Sequence, residues 1–132
     1  MDVHDTAVRA VDLVLPLPIP DRQPERLVAA AGLICEAACR LETGTQSVLS
    51  FDNTAQVAQL VVNLAAAATV LGGTFRQLAA AVEQMVDPAQ RKVATLAADM
   101  LADCSVDAAV LAHHANRAYD RVARIRGATE AA

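Results

Sequence analysis

Tryptophan is missing from this 132-residue chain, tyrosine occurs once and phenylalanine twice. Aromatic side chains favour strands, so their scarcity argues against a sheet-built core. Glycine and proline number only five each against 30 alanines, and alanine is the strongest helix former. Helix is therefore the expected class. Three cysteines, Cys35, Cys39 and Cys104, form an odd and sparse set. That excludes the dense, even framework of small secreted scaffolds and fits a reducing cytoplasm. The acids Asp2 and Asp5 stand where a secretory leader carries positive charge, so no export signal is expected. Net charge is −4 and the pI is near 5.2, so the molecule as a whole does not attract phosphate backbones. Ten of the eleven basic residues are arginine, which with the alanine excess suggests a high-GC, bacterial coding sequence.

What is present is apolar. Hydrophobic residues make up 55% and charged residues 20%, a balance that excludes a wholly disordered chain, and 13.8 kDa is one domain's worth of polymer. The reading divides the chain into an N-terminal arm over 1–20, a helical bundle over 21–127 and a loose tail over 128–132. Asp5 to Leu15 has the composition of a short helix. Pro16, Pro18 and Pro20 then alternate with Leu17 and Ile19, so 13–20 is expected to be an extended apolar arm lying in a groove.

The bundle is expected to be all-α, with three main helices running up, down and up. The first spans about 24–42, with Pro24 at its start and Gly44 as its stop. Leu27, Ala31, Ile34, Ala38 and Leu41 form its apolar stripe, and Glu36 and Arg40 pair on the opposite side. The second begins near Thr54, capped by Ser50, Asp52 or Asn53. No charged residue occurs from Asn53 to Phe75. Val57, Leu60, Leu64, Ala67, Leu71, Phe75, Leu78, Val82 and Met85 keep near-heptad spacing, with Gly72-Gly73 as the point where this helix kinks or breaks. A membrane span competes for this uncharged run, but Gln56, Gln59, Asn63, Thr69 and two glycines dilute it. The last helix is announced by Asp87, Pro88 and Gln90 as cap, first position and capping-box partner. Val93, Ala97, Met100, Cys104, Ala108, Leu111, Ala115, Ala118, Val122 and Ile125 line one side of a rod ~58 Å long, ending at Gly127.

Chemistry is harder to find. There is no phosphate-binding glycine loop, nucleophile elbow, Glu-x-x-His pair or HExxH zinc helix, so catalysis is not expected and no cofactor is assigned. Cys104 and His114 are too far apart along one helix to share a metal. Cys35, Cys39 and His114 from two helices remain an alternative soft-metal set, and the interhelical space an alternative small-ligand site. His113-His114 has the accessibility of a phospho-acceptor without the surrounding chemistry. Asp99, Asp103 and Asp107 supply too few oxygens for a hard cation.

Those three aspartates repel one another at i,i+4 spacing, and further along the same flank stand His114, Arg117, Arg121 and Arg124. Two such helices laid antiparallel place Asp107 against Arg117, Asp103 against Arg121 and Asp99 near Arg124. The common midpoint is lined by Ala108, Ala112 and Ala115, which makes an isologous dimer axis there the expected interface. The function expected from sequence is thus a non-catalytic, self-associating helical interaction module, a homodimer. The alternatives are the ligand or metal sensor above, and a nucleic-acid adaptor using Arg117, Arg121, Arg124 and Arg126. The adaptor is disfavoured because the aspartate run repels the same backbone.

Overall fold

The computed structural model describes residues 22–47 and 50–131; the proline arm and the short helix before it lie outside the described residues. The protein is all-α, with three long helices and no strand among the described residues. They are α1 (Gln23–Gly44), α2 (Thr54–Met85) and α3 (Arg91–Ala131), with a 3₁₀ turn (Pro88–Gln90) leading into α3. Contacts divide the chain into two compact units, Met1–Ser50 and Phe51–Ala132, so the expected 21–127 bundle is described as these two parts.

In the first unit, α1 carries Pro24 in its first turn and a Glu25 salt bridge to Arg22 at 3.4 Å. The Glu36–Arg40 pair forms as the spacing requires, at 3.2 Å. Gly44 is not the stop expected of it. The helix runs through it, and Thr45 ends it instead: its N–H and its hydroxyl both donate to the Leu41 carbonyl, at 2.9 and 2.8 Å. No residue of α1 is buried, and Leu27, Val28, Ile34 and Leu41 are exposed.

In the second unit, Asn53 caps α2 by accepting from the Gln56 N–H at 3.0 Å, while the Gln56 side chain accepts from the Asp52 N–H at 2.7 Å. This reciprocal pairing satisfies the donors that a helix start leaves open. Of the alternatives open at Gly72-Gly73, one helix with a weak point or two nearly collinear helices, the first is found. α2 is continuous through both glycines, because helix packing rather than intrinsic propensity decides there. A Cβ built on Gly72 would stand 3.3 Å from the Ser105 carbonyl oxygen and 3.4 Å from the Ala108 Cβ. Gly72 is therefore in close contact with the backbone of α3, and its missing side chain is what admits it. Thr69 and Thr74 stay helical by donating their hydroxyls back to Ala65 and Val70.

Asp87 begins the connection between the helices without a side-chain cap; the Gln90 N–H donates to its carbonyl at 2.9 Å. Five residues, Val86 to Gln90, reverse the chain, so α2 and α3 form an antiparallel hairpin in which Gly72 lies across from Ser105. α3 continues past Gly127 to Ala131. One glycine in the last turn is a weak stop, and the alanines beyond it favour continuing the helix.

The seam of the hairpin consists of small residues: Ala58, Ala65, Ala68 and Gly72 of α2 against Ala94, Ala98, Ser105 and Ala112 of α3. Ala65 is the most enclosed, at 1% exposure, and no large side chain is fully buried. Seven-residue spacing links Ala58, Ala65 and Gly72 on one helix, and Ala98, Ser105 and Ala112 on the other. Such a repeat keeps one face of each helix on the other, and small residues allow a close approach.

Candidate functional site

At about 100° per residue, the large apolar side chains of α2 lie about 100° around the helix from its seam, on the side reached by counting backwards along the chain. Leu60, Leu64, Leu71, Phe75, Leu78 and Met85 belong to this sector. On α3, Val93, Met100 and Leu111 are displaced from their seam by a similar angle in the same sense, whereas Val106 and Val110 lie on the other side. In an antiparallel pair, displacements of the same sense bring both stripes to one side. The hairpin thus has an apolar face built by both helices; the opposite face carries polar groups, among them Gln59 donating to Asn63 at 3.2 Å, together with the exposed Val70, Val106 and Val110.

This apolar face is open. Leu64 is 46% exposed, Val93 and Met100 70% each, and Leu111 60%. Of the most apolar 18-residue stretch of α2, only 22% is buried, although by length and composition that helix is capable of crossing a membrane. Full burial of a Leu, Phe or Met side chain contributes about 1.5–3 kcal/mol, against about 0.8 for one methylene-sized group such as an alanine offers. A sizeable part of the hydrophobic free energy available to this unit therefore lies on its outside, although Leu60, Leu71 and Phe75 are half-buried.

The residues singled out from sequence do not share one surface. Ala112 is buried in the seam at 5% exposure, with Ala108 and Ala115 half-buried at its margin. The alanine-lined midpoint is thus occupied by α2 of the same chain. Asp99, Asp103, Asp107, Arg117, Arg121 and Arg124 are all exposed. They lie from about 105° to about 205° around the helix from the seam, so they do not frame those alanines. Asp103, Asp107 and Arg121 instead border the outer edge of the apolar face. The stripe expected as core on α3 is likewise turned by about 100° from the one that is buried. Leu64, Met100 and Leu111 were visible in the sequence as members of periodic stripes; nothing there marked them as the exposed part.

Other chemistry is thin. Cys35, Cys39 and Cys104 are free and exposed, and among the described residues no cluster of three His, Cys, Asp or Glu side chains is placed to hold a metal. The His113 and His114 rings stand 5.9 Å apart and tilted by 58°, without stacking. A shallow recess of about 260 Å³ at the closed end of the hairpin is lined by Glu83, Arg91, Ala94 and Thr95. The space between the helices at Gly72 is filled. No protein-family model, curated protein or solved structure matches this chain.

Proposed function

We propose that this protein is a non-catalytic helical interaction module that self-associates as a homodimer through the apolar face of the α2–α3 hairpin, in a reducing cytoplasm. The observation carrying this reading is the inversion of side-chain size: alanine, glycine and serine inside the hairpin, leucine, methionine and valine outside it. A contiguous apolar patch of this kind, bordered by charge, is the usual mark of an association surface. Isologous pairing of two copies is the commonest way to cover one. Insertion of α2 into a membrane is disfavoured by its partner, because α3 lies along it with Asp99, Asp103, Asp107, Arg117 and Arg121 exposed. Ionised side chains are costly in lipid.

The test is a pair of substitutions on the face that leave the seam intact, Leu64→Glu together with Met100→Glu. Gel filtration with light scattering is expected to give a dimer for the native chain and a monomer of retained helicity for the variant. A native chain that elutes as a folded monomer overturns the reading.

A further inference from the structure

The hairpin's own register says how two copies meet. Gly72 lies across from Ser105, and Glu83 and Ala94 line one recess, so each step forward along α2 is one step back along α3. Ala66 is therefore level with Leu111. On the apolar side of α2 Val57 and Phe75 lie nine residues before and after Ala66, and Leu60 and Leu71 six before and five after, while Leu78 and Met85 extend the stripe toward the closed end of the hairpin only. On α3, Met100 and Val122 lie eleven residues before and after Leu111, and Cys104 and Ala118 seven before and after. The charges along the rim of the same face reverse sign about the same level. Asp103 and Arg121, at the same angle around the helix, are nine residues either side of Ala112.

Resting on the self-association proposed above, we infer that a second copy of this chain docks on the apolar face about a two-fold axis perpendicular to the helices, at the level of Ala66 and Leu111, pairing α3 antiparallel with α3 and α2 with α2. Two features agree on that level: the spacing of Met100 and Val122 about Leu111 on α3, and the reversal of charge from Asp103 to Arg121. The arrangement gives a four-helix bundle in which Leu111 meets Leu111 of the second copy and Asp103 faces Arg121 of the second copy. The other two-fold stacking of two hairpins sets α3 against α2 of the copy. The Asp103 to Arg121 rim then faces an edge bearing Gln56, Asn63 and Thr74, which offers Arg121 the Asp52 carboxylate bonded to Gln56 but no cation opposite Asp103. Charge complementarity selects the first arrangement, with orientation rather than affinity as its contribution, since exposed ion pairs are individually weak.

Site-directed cross-linking tests it in the full chain with Cys35, Cys39 and Cys104 changed to alanine. Leu111→Cys is expected to oxidise to a covalent dimer, because a residue on the axis meets its own equivalent. Met100→Cys is expected not to, since its two copies are separated by about 33 Å along the helix, but it is expected to cross-link to Val122→Cys in a mixture. Self-cross-linking of Met100→Cys overturns the inference, as does a dimeric Leu111→Cys chain that does not cross-link. A second measurement avoids the face itself. Asp103→Arg is expected to weaken the dimer about fivefold, and adding Arg121→Asp to restore it; no weakening, or weakening without rescue, overturns the α3–α3 pairing. In each of these failures the native chain still has the mass of a dimer, whereas a monomeric native chain removes the functional reading itself.

Discussion

Gly72 and Gly73 are chemically identical neighbours with different roles. Gly73 has nothing within 4 Å of where its Cβ would be, so Gly73→Ala gains helix propensity without a clash and is expected to stabilise the fold by about 1 kcal/mol. Gly72 faces the backbone of α3, which cannot swing aside like a flexible side chain. Gly72→Val is expected to destabilise by about 1–3 kcal/mol, as overpacking does. Urea unfolding midpoints of the two variants check both signs; equal effects would mean that the close approach at Gly72 does not matter. The cap is a separate contribution. Asn53→Ala removes the acceptor for the Gln56 N–H and is expected to lower stability by about 1 kcal/mol, read in the same way.

The helices show which part of the fold was legible in the residues. Their existence and starts were, because capping chemistry is local: Asn53 with Gln56, and Pro24 in the first turn, act within four residues. The ends were less so. Gly44 and Gly127 have the composition of stops, but a hydroxyl at Thr45 and the alanine-rich residues after Gly127 outweigh them. At Gly72-Gly73 the residues left open one helix with a weak point or two nearly collinear helices, and the helix is continuous there: a glycine that weakens an isolated helix is tolerated where another helix comes close.

The orientation of α2 and α3 was not legible. Periodicity identifies an apolar sector but does not say which part of it a two-helix contact uses. Hydrophobicity ranks Leu64, Met100 and Leu111 as core, whereas a close antiparallel contact selects the alanines about 100° away. The Asp99 to Arg124 charge split was read as a feature of one flank framing Ala112, which required an orientation of α3 that the seam does not allow. If the seam is as described, enlarging it is expected to be more harmful than trimming the outer stripe. Ala65→Leu should cost about 1–3 kcal/mol in unfolding free energy, while Val93→Ala, at an exposed site, should change hairpin stability little and weaken association instead.

For the molecule as a whole, folding and association are expected to be linked. A hairpin with large apolar residues outside gains a sizeable part of its hydrophobic stabilisation from whatever covers them, and a partner that binds only the folded state raises the melting temperature with concentration. Melting followed by circular dichroism is expected to shift upward over a hundredfold rise in protein concentration, and a concentration-independent midpoint would separate the two processes. The central claim, that the apolar face is covered by a second copy, is tested most directly by sedimentation equilibrium of the unaltered chain. The account predicts a mass of twice 13.8 kDa, dissociating only on dilution; a folded species of 13.8 kDa at every concentration would contradict it.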